Sequence, residues 1–190
     1  MKTAVAVAAL AGLGLGGLVA VGYHAWPPSS ELTPPSELTP PNRPIWTEAQ
    51  WPFPMDEWGK GKAFRCEAAD CGVEVNLYVR AKLGFCNCTT GVSDDEELDR
   101  LADFRLMGEK PSALSAGNPI TVAWMKGRSR AYANQRSPNS ALAVAFNDRC
   151  DAVVATAVVA HPRPAAIEPS VIAFLNSKTV IHWAEVTLGL

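Results

Sequence analysis

The sequence predicts an α+β domain: a mainly antiparallel sheet of about five to seven strands with two helices, behind an N-terminal membrane helix or signal segment and a Pro-rich linker. Three observations carry this. Residues 73–83 alternate apolar and polar side chains over an unusual length. Residues 141–146 and 152–160 are two nearly unbroken apolar runs. Between these stretches stands a strongly acidic helix start. Hairpin-like spacing with two separated helices argues against a doubly wound parallel sheet.

Residues 1–22 contain one charge, Lys2, followed by an apolar run from 4 to 22. The run suits a signal peptide cut after Gly22 or a single spanning helix. Lys2 is the only basic residue before Arg43, so the positive-inside rule puts the remainder outside the cytoplasm in either case. No cysteine stands near the cleavage point, which argues against a bacterial lipoprotein. Residues 23–44 read as a linker. In it Ser30-Glu31-Leu32-Thr33-Pro34-Pro35 repeats as Ser36-Glu37-Leu38-Thr39-Pro40-Pro41, and proline at this density favours an extended spacer. Residues 45–190 then form one exported domain, long enough for its own core.

The domain opens with Trp46, Trp51, Phe53 and Trp58, interleaved with Pro52 and Pro54 and without helical or strand period. Rings of this size are costly to leave in water. They are expected to dock on the domain's own sheet or to form a partner surface. Residues 63–85 read as a hairpin. Val73, Val75, Leu77 and Val79 face inward, Glu74, Asn76, Tyr78 and Arg80 outward, and a turn follows Cys66. Ser93 and Glu96 fit a capping box. Asp94, Asp95, Glu96 and Glu97 suit the positive end of a helix dipole, and Leu98, Leu101, Ala102 and Leu106 make its apolar stripe. The acids lack the ligand alternation of a calcium loop.

Strands are expected at 120–125 and 128–134 around a turn at Lys126-Gly127. Arg128, Arg130 and Tyr132 share one face there, a candidate docking surface for anionic lipid headgroups or an acidic partner, or simply a solvated face. The runs at 141–146 and 152–160 suit central strands covered on both sides. Pro169 opens a short helix, and 179–188 is expected to be a last strand with His182 on its apolar, buried face.

Five cysteines in an exported domain point to disulfides among Cys66, Cys71, Cys86, Cys88 and Cys150. Cys66 and Cys71 flank the first turn, and Cys150 is expected to reach Cys86 or Cys88. The spacings do not fit zinc knuckles or a redox Cys-x-x-Cys, although Cys86-Asn87-Cys88 offers two soft ligands for copper(I). Asn87-Cys88-Thr89 is also a glycosylation sequon, relevant only in a eukaryotic secretory route.

Removing the first 22 residues takes away Lys2 and moves the net charge from -2 to -3, which gives no reason to expect nucleic acid as a partner. No nucleophile elbow, metalloprotease helix or phosphate loop occurs, and the chain has three histidines, His24, His161 and His182. The expectation is therefore a non-catalytic, membrane-tethered cell-envelope protein that binds another envelope protein or assists assembly, with no cofactor. The alternative is a copper- or thiol-handling envelope protein built on Cys86 and Cys88.

Overall fold

The computed structural model describes residues 44–84, 87–107, 111–134, 138–160 and 163–190. The expected signal or membrane segment and nearly all of the expected linker lie outside the described residues. Among the described residues no helix is long and apolar enough to cross a membrane.

Eight strands form one sheet: β1 Thr47–Ala49, β2 Lys62–Cys66, β3 Val75–Lys82, β4 Ser112–Ala113, β5 Asn118–Val122, β6 Met125–Ala133, β7 Ser140–Asp148 and β8 Asp151–Val159. The order is β1-β2-β3-β8-β7-β6, with both β4 and β5 paired to the outer edge of β6, and every pairing is antiparallel. The helices are α1 Ala68–Cys71, α2 Asp95–Leu101, α3 Glu168–Leu175 and α4 Lys178–Leu188. The α+β class and the antiparallel sheet match the sequence reading. Among the described residues the eight strands and four helices exceed its five to seven and two: the short β1, β4 and α1 escape periodicity, and α4 stands where a strand was expected. β1 spans three residues of the aromatic approach, and α1 is a single turn inside the first hairpin.

β7 and β8 are the predicted apolar runs, and almost every residue in them is buried. One face of the sheet carries Phe64, Leu77, Val79, Val144, Phe146, Val153 and Ala155. It is covered by Val171 and Leu175 of α3 and by Val180, Ala184 and Leu188 of α4. The opposite face has a floor of Ala143, Ala145, Ala152 and Val154, on which Leu98 and Leu101 of α2 are fully buried. Small floor residues let a helix backbone come close.

Three local expectations are corrected. Residues 179–188 form α4, not a strand. The Ser177 side chain accepts a hydrogen bond from Val180 N–H, Gly189 ends the helix in the left-handed region, and the buried residues recur at 180, 184 and 188. β-Branched residues cost a helix only tenths of a kcal/mol each, so burial of this stripe decides. His182 consequently points outward with its side chain 80% exposed, not into the core.

The hairpin turn lies at Ala123-Trp124, and Lys126-Gly127 belong to β6. Gly127 is needed inside the strand, since a Cβ there would overlap the Ala145 carbonyl oxygen and the Phe146 backbone. The cap of α2 is Asp94, one residue later than Ser93: its carboxylate accepts from Glu97 N–H at 2.8 Å. Asp and Ser cap equally well, so chemistry alone does not choose the register.

Candidate functional site

β3 presents Tyr78, Arg80 and Lys82 on the face where alternation predicted solvent. Arg80 and Lys82 are instead 4% and 5% exposed, a correction with a structural cause. β3 pairs along its whole length with β8, which is buried on both faces, so both faces of β3 are covered too. The cover consists of residues 51–58, which cross the end of β3 as a strap, and the segment after α2.

Asp103 grips Arg80 in a two-point fork, Nε to Oδ2 at 2.5 Å and Nη2 to Oδ1 at 2.6 Å, and also pairs with Lys82 Nζ at 2.8 Å. Asp56 of the strap accepts from Arg80 Nη1 at 2.8 and 2.7 Å. Lys82 further donates to the Leu101 carbonyl at 2.6 Å and lies 5.6 Å from the Trp58 ring centre. Burial pulls the Lys82 ammonium below its ordinary pKa, with Asp103 pulling back. Burial also opposes the Arg80 charge, but the hydrogen bonds to Asp103 and Asp56 outweigh it and hold the guanidinium ionised. The Arg80 hydrogen bond holds the Asp56 carboxyl below the usual range.

A second ionic group fastens α2 to β6. Arg128 pairs with Asp95 at 2.6 Å and donates to Gly117 O at 2.8 Å. Arg130 reaches Asp99 at 3.2 Å and Ser115 O at 2.7 Å. The Tyr132 hydroxyl donates to Asp99 at 2.5 Å, and burial with that bond raises the phenol's pKa strongly. The Gly117 N–H, and then Arg128, hold the Asp95 carboxyl low. The basic face and the acidic helix start, separate features of the sequence, therefore meet each other.

The aromatic candidates divide between the two faces. Trp46 stacks on Phe174 of α3 at 4.8 Å. Trp51 and Phe53 pack edge-to-face on Tyr78 at 6.1 and 4.8 Å and on each other at 5.3 Å. Trp46, Trp51, Phe53 and Trp58 are all half-buried against their own sheet. Asp56, Arg80, Lys82 and Asp103 were absent from the sequence-based candidates. The signal available was a polar alternation on a strand that pairs with the nearly all-apolar β8.

The sulfurs of Cys66 and Cys71, and of Cys88 and Cys150, lie at disulfide-bond distance, 2.04 and 2.05 Å. Cys86 lies outside the described residues. The first bridge spans α1. The second ties the loop before α2 to the β7–β8 turn, where Asn147 Oδ1 also accepts from Val92 N–H. Among the described residues no group of three or more His, Cys, Asp or Glu side chains is placed to hold a metal. The chain matches no family model, no curated protein and no solved structure.

Proposed function

We propose that this chain is a non-catalytic protein of the cell envelope, tethered by its N-terminal segment, whose domain binds another envelope protein or assists assembly outside the cytoplasm. One observation carries the reading: two cysteine pairs stand at bonding distance in a domain that follows Lys2, a long apolar run and a proline-rich repeat. Bridged cysteines suit an oxidising compartment. The fate of the polar groups supports it further. Asp56, Asp95, Asp99 and Asp103 are all engaged by arginine, lysine or tyrosine of the same domain. Such groups hold segments of the domain together. The copper alternative asks for thiolates at Cys86 and Cys88, so it needs the Cys88–Cys150 bridge to be open.

The reading is tested by two reporters fused after Leu190, one active only outside the cytoplasm and one only inside. Activity of the exported reporter alone is expected, and activity of the cytoplasmic one overturns the topology. Photo-crosslinkers at the exposed positions Trp124 and Val186 then test partner binding in the native membrane. A discrete adduct with another envelope protein is expected. Recovery of uncrosslinked monomer at both sites, together with stoichiometric copper in the purified chain, overturns it in favour of the alternative.

A further inference from the structure

The two carboxylates on Arg80 are not equivalent. Asp103 is 7% exposed and takes the two-point fork, whereas Asp56 is 30% exposed and is held by the outer Nη1 alone. Asp103 is built into the core beside Lys82. Asp56 arrives on the strap, and the strap is held lightly. Among the described residues the main-chain N–H groups that bond within 51–59 do so locally, from Gly59 N–H to Asp56 O at 2.9 Å and from Trp58 N–H to the Asp56 carboxylate at 3.0 Å. Pro52 and Pro54 have no N–H to donate. Side chains attach it to the sheet, among them the rings of Trp51 and Phe53 on Tyr78, Trp58 over Lys82, and Asp56 itself. Beneath them Trp51 Nε1 is buried without an acceptor. Segments bound by few buried contacts and no backbone ladder open at the lowest free energies in a fold.

When the strap lifts, Arg80 loses one of its two carboxylates and keeps Asp103, which it shares with Lys82. A guanidinium edge matched to carboxylate geometry is then open beside Tyr78. We propose that the outer edge of Arg80 is a carboxylate-binding site that Asp56 fills in cis, and that an acidic, aromatic-flanked segment of a partner protein takes it by displacing residues 51–58. The proposal rests on the partner-binding reading above and names the kind of partner sequence it would take. The strap is itself a specimen of that ligand, a chain segment with a carboxylate between aromatic residues. Its covalent attachment gives it a high effective concentration, so a free segment competes at a disadvantage until the strap is weakened.

The test uses the full-length chain and two synthetic peptides, one copying residues 51–58 and one with asparagine in place of Asp56, with binding followed by calorimetry. The carboxylate peptide is expected to bind wild type measurably and Asp56→Ala at least tenfold more tightly. The asparagine peptide is expected to lose at least tenfold on both. Equal binding of the two peptides, equal affinity of the two proteins, or no binding to either protein overturns the proposal. Should Asp56→Ala fail to fold, Asp56→Asn, which leaves an uncharged group near the size of the original, replaces it with the same expectations. Crosslinking to an envelope partner without peptide binding removes this site assignment alone; peptide binding without any partner adduct removes the partner reading instead.

Discussion

The two faces of the sheet are stabilised by different physics. The face under α3 and α4 is mainly apolar, with Ser129 of β6 donating to Glu168 of α3 at its edge, and its covering helices add Val171, Leu175, Val180 and Ala184. The opposite face is apolar only along its middle, where Ala143, Ala145 and Val154 meet Leu98 and Leu101. Its flanks carry Arg80 and Lys82 on β3 and Arg128 and Arg130 on β6. Those cations meet carboxylates brought from segments well separated in sequence: Asp56, Asp95, Asp99 and Asp103. Apolar cover asks for volume and shape, and many sequences supply it. A buried cation asks for a particular partner at hydrogen-bond distance, and its loss leaves an uncompensated charge.

The largest effects follow from that contrast. Asp103→Ala is expected to cost about 3–5 kcal/mol, the usual range for breaking a buried ion pair. Phe146→Ala, on the α3–α4 face, is expected to cost a similar amount, about 3–5 kcal/mol, through lost burial and a cavity. The two separate on partial restoration. Phe146→Leu should recover most of the loss, to within about 1.5 kcal/mol of wild type, because it restores volume. Asp103→Leu should recover little, because it restores volume but not the carboxylate that Arg80 and Lys82 share. Urea unfolding of the four variants measures this, and recovery by Asp103→Leu would mean that the second face is held by packing as well.

The cysteine bridges give the next largest difference. Cys88–Cys150 has a sequence separation of 62 and Cys66–Cys71 one of 5. Loop-closure entropy assigns about 4 kcal/mol to the first and about 2 kcal/mol to the second, less any strain. Cys150→Ser should therefore lower the denaturant midpoint more than Cys71→Ser. The effect should fall chiefly on α2 and its loop, since that bridge fastens the approach to α2. Equal midpoints for the two variants would remove the entropic account.

How far the sequence could be read also follows the two faces. Phe64, Leu77, Val144, Val153 and their neighbours announce themselves by period or by unbroken apolar runs. Hence the hairpin at 63–85, the two central strands and the helix after Pro169 were readable. Arg80 and Lys82 look like any solvent-facing alternation, because nothing local to β3 says that Asp56 and Asp103 will reach it. Gly127 looked like a turn residue, since its reason for being glycine is the Ala145 carbonyl on the next strand. The stretch 179–188 is rich in β-branched residues, and only the cap at Ser177 and the four-residue spacing of Val180, Ala184 and Leu188 mark a helix. The short β1, β4 and α1 carry too few residues for any period. Arg128 and Arg130 were placed correctly on one face, but their partners lay in a motif already explained as helix-start chemistry.

The smallest expected effect compares how the covering helices begin. α2 starts on the cap of Asp94 and is fastened through Asp95 to Gly117 N–H and Arg128, whereas the α4 cap is the hydroxyl of Ser177. The Asp95 and Asp56 carboxyls are both held below their ordinary values, Asp95 first by the Gly117 N–H and Asp56 first by Arg80. In an opened or unfolded chain an aspartate titrates near about 4. As pH falls through about 4 the opened state therefore takes up protons before the folded one does, and opening gains ground. The stability these carboxylates contribute is full above about 4 and is lost as pH falls through their lowered folded values. Both carboxylates fasten the α2 face, and a hydroxyl cap has no charge to lose over this range. Hydrogen exchange from pH 6 to pH 3, corrected for intrinsic rates, should show protection of Leu98 and Leu101 amides falling relative to Ala184 and Leu188. Exposed acids lose little when protonated, so the change is expected to be a severalfold drop in relative protection, short of global unfolding. A constant ratio across that range would mean that Leu98 and Leu101 alone hold α2 in place and that its ion pairs contribute nothing measurable.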